Sequence, residues 1–244
     1  MKRYFGVFIA LLLFSPVALA DRFPDVNVRK INDRVDALLG PIDVPNKQNG
    51  GYVNNNLVII GDKGVILVDA GSHKAVAEHI RKAIGTVTPQ TTIPAESRQS
   101  IEIDGVKLEL IATDTAHTEG DMMVWLPEDG ILASGDILVH DVNPNFADGN
   151  LKKWIGVVDE LLKLPVKTVM PGHGALMQRK DVTDFRILIA GFYKTVEDIY
   201  KSGGAEADVR KKLDLAKWQQ LARYEDMMGR NISKVWLEVE ANNF

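Results

Sequence analysis

The sequence predicts a layered domain of mixed helices and strands (α/β or α+β), on three observations. Short apolar runs of strand length, separated by turn residues, fill 57–68 and 101–133. Apolar residues at helical spacing follow over 151–164, and a helical pattern continues from Asp181 onward. Strands interleaved with helices in this way are typical of sheets that are covered by helices.

In the first half, the apolar runs 57–60 and 65–68 are joined by a glycine-containing loop, which is typical of a hairpin. Ser72 can cap the helix that follows, and we expect that helix to end at Gly85. Residues 86–100 are polar and contain two prolines, so we predict no regular element there.

In the second half, strand-like apolar runs lie at 101–103, 106–112, 122–126, 131–133 and 166–170. Asn150 is the expected cap of the helix over 151–164, with Pro165 beyond its end. After a break at Gly203-Gly204, further helices are expected at 205–213, 216–228 and 232–239.

The bulk properties limit the possible functions. The 244 residues suffice for one large domain or two small ones, and the net charge is −4. No basic block is present, which argues against nucleic acid as a partner. There is no cysteine, so disulfides, a cysteine nucleophile and cysteine-ligated zinc are excluded.

Residues 1–20 have the pattern of a secretory signal peptide, with Lys2 and Arg3 before an apolar run and a small-x-small ending at Ala20. The run is short for a membrane anchor, which needs about 20 apolar residues. We therefore expect a periplasmic or secreted protein with no membrane contact after cleavage. The expected domains are residues 21–180 and a helical extension over 181–244 that packs on them.

Three short segments each place a potential metal ligand beside glycine after a strand-like run. They contain His117, Asp136 and His173, within Ala-His-Thr-Glu-Gly-Asp, Ser-Gly-Asp and Pro-Gly-His-Gly. Glycine permits unusual backbone angles, which would let these side chains turn inward. Imidazole nitrogen and carboxylate oxygen are donors that zinc favours. Each motif alone is weak, but the set predicts one metal-binding rim at the ends of separate strands.

The order of these motifs, with Asp69-Ala70-Gly71 before them, resembles the metallo-β-lactamase superfamily over nearly the whole chain after residue 20. The resemblance implies a four-layer αββα sandwich, here with a shortened N-terminal half and a helical C-terminal extension. It also implies a small-molecule substrate, whose ester, thioester, amide or phosphoester bond is attacked by a zinc-activated water.

The same resemblance assigns roles to individual residues. His117 matches a ligand of the first zinc, Asp136 matches the ligand that bridges both zincs, and His173 matches a ligand of the second. Asp69 matches a residue that is not itself a ligand but orients the metal-binding loop.

One family feature is missing from the sequence. Members carry a His-x-His-x-Asp-His segment before the position of His117, and this chain contains no such segment. We therefore expect at most one zinc ion, weakly held. Two other histidines could lie near the rim: His140 follows the Asp136 motif, and His73 begins the first helix; a solvated position is the alternative for His73.

Two functions remain open on this basis. The first is a metallo-hydrolase that is impaired or specialised because the main metal loop is absent. The second is a non-catalytic binding or scaffold relative, or a deletion product without a function of its own. The sequence does not decide the substrate or the oligomeric state.

Overall fold

The computed structural model describes residues 23–69, 74–89, 100–113, 115–118 and 121–243. The predicted signal peptide, Ser72 and His73 therefore lie outside the described residues. The strands are β1 (Asn27–Lys30), β2 (Val35–Leu39), β3 (Asn56–Ile60), β4 (Val65–Val68), β5 (Ser100–Ile103), β6 (Val106–Ala112), β7 (Met122–Leu126), β8 (Ile131–Val139) and β9 (Thr168–His173). The helices are α1 (Lys74–Val87), α2 (Leu151–Leu161), α3 (Arg179–Lys201), α4 (Glu206–Lys212), α5 (Leu215–Gln219) and α6 (Tyr224–Ala241).

The strands form two sheets, and each is built from one continuous stretch of chain. The first sheet has the order β1-β2-β3-β4 and is antiparallel throughout. The second has the order β5-β6-β7-β8-β9, antiparallel except for the parallel pair of β8 and β9. Helix α2 makes the crossover that a parallel pair requires.

Three apolar clusters show how the layers stack. One cluster joins the inner faces of the two sheets, with Leu57 and Ile59 of the first packed on the same core as Leu126 and Met170 of the second. A second cluster packs α1 on the outer face of the first sheet. The third and largest packs α2, α3 and α6 on the outer face of the second sheet. The architecture is thus helix, sheet, sheet, helix, and the expected αββα sandwich is confirmed.

Several element boundaries differ from the sequence-based expectations. Strands β1 and β2 lie in a region where no pattern was found, because β1 is exposed at every residue and gives no apolar alternation. Helix α1 continues through Gly85 to Val87. The helix expected over 216–228 is wrong, since the chain turns at 220–223 between α5 and α6. Among the described helices, none is long and apolar enough to cross a membrane.

The C-terminal helices belong to the largest core. Side chains of α3 such as Phe185, Ile189 and Phe192 are buried in the same cluster as Trp154 of α2 and Trp218 of α5. The expected division at residue 180 stays a prediction, although the two parts share this one core.

Candidate functional site

The topology of the second sheet brings three motifs to one edge. Because β8 and β9 are parallel, their C-terminal ends lie at the same edge, where Val139 pairs with His173. Strand β7 runs antiparallel to β8, so its beginning lies at that edge too. His117 stands just before β7 and therefore arrives beside the same strand ends.

Asp136 lies inside β8, not in a loop after it as the sequence indicated. The pairing of β8 with β9 is irregular on both sides of Gly135, which has a φ of +52°. Such bulges re-aim side chains next to functional sites. Opposite, a Cβ on Gly172 would come within 1.9 Å of the Asp136 Oδ1 atom. Gly172 is therefore required for space beside the carboxylate, and it does not have a positive φ.

His173 is the last residue of β9 and is held on two sides. Its Nδ1 atom lies 2.9 Å from the carbonyl oxygen of Val53, and its own carbonyl accepts the His140 N–H at 3.0 Å. The carbonyl of Val53 can only accept, so the Nδ1 atom of His173 carries a proton; in the neutral imidazole Nε2 is then left with a lone pair, and in the protonated form Nε2–H can donate to Asp136. The next residue, Gly174, has a φ of +88° and packs against the backbone of His140.

His117 is positioned by a short polar loop and by an aromatic wall. Thr118 donates its N–H to the carboxylate of Asp121 at 3.0 and 3.1 Å. The imidazole stands edge-on to Trp154, which is fully buried and donates its indole N–H to a carbonyl of β8. Behind the loop, a Cβ on Gly149 would collide with the carbonyl of Ala116 at 2.0 Å.

The two histidines face different oxygens of one carboxylate. The Nε2 atom of His117 lies 3.8 Å from Asp136 Oδ2, and that of His173 lies 3.4 Å from Asp136 Oδ1. Burial alone would raise the pKa of Asp136, but the hydrogen bond with His173 and the charges of both histidines outweigh it and lower the pKa. Burial alone would lower the pKa of His173, but Asp136 and the Val53 carbonyl raise it above its ordinary value.

The guanidinium group of Arg223, the residue before α6, influences the pKa of His173. Arg223 precedes α6 in the left-handed conformation, with a φ of 63°. Its Nε atom is buried without a hydrogen-bond partner, and its nearest paired carboxylate, Asp226, is 3.9 Å away. The positive charge of Arg223 opposes the rise in the pKa of His173.

Of the remaining predicted residues, the structure describes Asp69 and His140. Asp69, at the end of β4, has a φ of 63° and accepts hydrogen bonds from Asn54 on its carboxylate and from Asn56 on its carbonyl. Its orienting role stays a prediction. His140 is near the rim, with Nδ1 3.2 Å from the carbonyl of Ala175. His73 lies outside the described residues.

The donor types fit zinc, but the part of the chain that the structure describes does not supply enough of them for a complete catalytic site. Among the described residues, no group of three or more His, Cys, Asp or Glu side chains is arranged to hold one ion. Catalytic zinc sites use three protein ligands and an open position. Here His117 and His173 lie at different oxygens of Asp136, so each would share an ion with that carboxylate only.

Sequence reasoning missed the residues of the first sheet that support the rim. Asn54, Asn55 and Asn56 have the composition of a turn, yet Asn55 and Asn56 are buried and donate to the backbone carbonyls of Pro171 and Asp69. The single signal was a run of asparagines before an apolar strand, which is equally typical of an exposed loop. Arg223 carried no signal at all.

Known proteins resemble this chain in sequence over a limited segment. Residues 82–173 match the family model of the metallo-β-lactamase superfamily. A type 2 metallo-β-lactamase of Bacillus cereus is 29% identical over 89 residues, which is 34% of this chain and 35% of that protein. A β-lactamase-like protein 2 homolog of Caenorhabditis elegans is 30% identical over 79 residues, 32% of this chain and 26% of that protein. The chain thus matches between about a quarter and a third of the length of these curated relatives.

Solved structures resemble it over a larger part of the chain. A metallo-β-lactamase from Pontibacter korlensis superposes with a TM-score of 0.54 at 20% identity, covering 68% of this chain and 99% of that one. A double mutant of the sec-alkyl sulfatase PisA1 superposes with a TM-score of 0.62 at 12% identity, covering 78% of this chain and 45% of that one. These likenesses show the shared fold. The sequence match to the metallo-β-lactamase superfamily model is confined to residues 82–173, and the solved structures add that the fold is shared over a larger part of the chain.

Proposed function

We propose that this chain is a metallo-β-lactamase-fold hydrolase whose metal site is impaired, retaining weak binding of at most one zinc ion. The observation that carries the proposal is the placement of the Asp136 carboxylate between the Nε2 atoms of His117 and His173. When bound, zinc would supply an activated water for attack on an ester, thioester, amide or phosphoester. The relatives named above include a β-lactamase and a sulfatase, so the family does not decide the substrate.

The residues that would hold the ion, and Trp154 and Ala116 beside them, are all described in the structure. Asp136 and either histidine would share the ion, and the Nδ1–H of His173 is already committed to Val53, which leaves Nε2 to face the carboxylate. Trp154 and Ala116 close the space behind His117. We further propose a periplasmic or secreted location, supported by the pattern of residues 1–20.

Zinc content tests the proposal directly. Purified protein is dialysed to equilibrium against buffer of known zinc concentration and analysed for bound metal per chain beside its intact mass. The Asp136→Ala variant should lose the zinc, while Asp159→Ala should keep it, because Asp159 pairs with Arg186 on the outer helices. A wild-type chain that retains no zinc contradicts the proposal. Hydrolysis of a panel of esters and lactams, compared between the same variants, then measures what activity remains.

A non-catalytic relative is the second candidate function. It is favoured by the lack of a three-donor group among the described residues, and by the connection of α1 to β5 through residues 88–99 alone. Hydrolysis that depends on Asp136 would rule it out. A zinc-binding chain with no hydrolysis on the panel would favour it over the first candidate.

A further inference from the structure

Asn55 is a fully buried side chain that joins the two sheets at the candidate site. It precedes β3, and its side-chain amide donates to the carbonyls of Pro171 at 2.8 Å and Gly174 at 2.9 Å. Its backbone N–H donates to the carbonyl of Gly172 at 3.0 Å. Only 1% of its surface is exposed. One residue of the first half thus donates to three of the four carbonyls of residues 171–174; the fourth, that of His173, accepts from the N–H of His140.

The chemistry of this contact specifies asparagine. The Oδ1 atom accepts the N–H of Gly40 at 3.1 Å, so oxygen and nitrogen of the amide have distinct partners. An aspartate would place oxygen against two carbonyl oxygens, and an alanine would leave buried carbonyls without donors. Gly40 permits the approach, because a Cβ there would lie 2.6 Å from the Asn54 carbonyl.

Asn55 holds residues 171–174, and the same stretch of chain that contains Asn55 also binds the ring of His173. Val53, two residues before Asn55, supplies the carbonyl that accepts from His173 Nδ1. Residues 53–55 therefore fix both the path of the backbone around His173 and the position of its ring proton. A histidine facing a metal commonly donates its other ring N–H to such a carbonyl, which sets tautomer and ring orientation.

We infer that Asn55 is a positioning residue, which presents the His173 Nε2 lone pair to the space beside Asp136 by holding residues 171–174 against the Val53 carbonyl. The inference rests on the proposed function in so far as His173 faces a metal there. The segment that leads into β3 would thus contribute to the site through the backbone carbonyl of Val53 and the side-chain amide of Asn55.

The test compares Asn55→Ala with Asn231→Ala in the full chain. Asn231 is a matched control: it is fully buried and bonds two backbone groups, the carbonyl of Pro144 at 2.8 Å and the N–H of Phe146 at 3.1 Å. Long-range ¹H–¹⁵N spectra of metal-free protein, at a pH where His173 is neutral, report which ring nitrogen carries the proton. Zinc affinity is measured beside them by competition with a chelator of known affinity.

Wild-type protein and Asn231→Ala should show His173 in the single Nδ1–H tautomer. Asn55→Ala should mix the two tautomers and weaken zinc binding by roughly 10–100-fold. The inference is overturned if the tautomer of His173 is unchanged by Asn55→Ala, or if wild-type His173 carries its proton on Nε2. Should that variant fail to fold, Asn55→Ser, which keeps one donor, is judged by the same spectra. The tautomer measurement needs no metal, so it decides the inference even if wild-type protein binds no zinc and the proposed function fails.

Discussion

Gly172 packs directly on the carboxylate of Asp136, with room for hydrogen but not for a methyl group. A Cβ would lie 1.9 Å from Oδ1 and 2.8 Å from the backbone nitrogen of the same residue. The carboxylate between the two histidines is therefore set by a residue on the neighbouring strand.

Gly172→Ala should displace the Asp136 carboxylate and weaken zinc binding at least tenfold, with a loss of about 1–3 kcal/mol in the free energy of unfolding from overpacking. Chelator competition measures the first effect and urea unfolding the second. Gly156→Ala on α2 is the control, since no atom lies within 4 Å of its added Cβ. Equal zinc affinity in the two variants would contradict the assigned role of Gly172.

The pKa values of the Asp136–His173 pair predict how the stability of metal-free protein depends on pH. The pKa of His173 is raised from 6.5, so its contribution is fully present below 6.5 and is lost as the pH rises through the folded value. The pKa of Asp136 is lowered from 3.8, so its contribution is present above 3.8 and is lost as the pH falls through the folded value. The pair should stabilise the fold most between these two pH values.

Asp136→Asn should flatten that dependence, as measured by urea unfolding across the range. Zinc needs neutral imidazole, so zinc uptake near the raised pKa of His173 should release a proton. Calorimetry in buffers of different ionisation enthalpy measures that proton. An identical pH profile for wild type and Asp136→Asn would refute the predicted coupling.

Arg223 combines a strained backbone with a charge that acts on His173. Both Arg223→Gly and Arg223→Ala should raise the pKa of His173, because each removes an opposing positive charge. Only glycine accepts a φ of 63° without strain, so Arg223→Gly should be more stable than Arg223→Ala by about 1 kcal/mol. NMR titration and thermal unfolding provide the two measurements. A more stable alanine variant would show that the left-handed conformation is not retained.

Asp121 organises the loop that carries His117. Asp121→Ala removes the acceptor for the N–H and hydroxyl of Thr118 and should lower the free energy of unfolding by about 1 kcal/mol. The larger effect should be on zinc affinity, because His117 loses its fixed position. Asp181→Ala is the control: Asp181 accepts the backbone N–H of Gln178 at the start of α3. It should give a similar loss of stability with zinc affinity unchanged.

The sequence predicted the second half of the fold better than the first. Helix α2 begins after Asn150, whose side chain accepts from Lys153 as a cap should, and its apolar face is buried as expected. Strands β1 and β2 were missed, since the exposed β1 has no alternating pattern and β2 is buried at four successive residues. Neither burial pattern alternates along the strand, so a search for apolar residues at every second position finds neither β1 nor β2.

The structure brings together His117, Asp136 and His173, whose role as metal ligands stays a prediction, but the residues that hold them in place were not predicted. His117, Asp136 and His173 stand beside glycines, and that combination is visible in a single sequence. The contacts of Asn55 with Pro171 and Gly174 join residues more than a hundred positions apart, so no local pattern contains them. The reason for Gly172 was also different from the expected one: the residue provides space, whereas Gly135 and Gly174 provide positive φ.

Each sheet comes from one continuous stretch, with residues 27–68 in the first and 100–173 in the second. Along the chain, residues 88–99 connect the helix α1 of the first half to the strand β5 that begins the second sheet. For protein engineering, that connection is an exchange point, where a donor segment from a relative could be spliced in while both sheets keep their registers. Because Asn55 and Val53 hold residues 171–174 and the ring of His173, such a chimaera would contain that imidazole already aligned beside the Asp136 carboxylate.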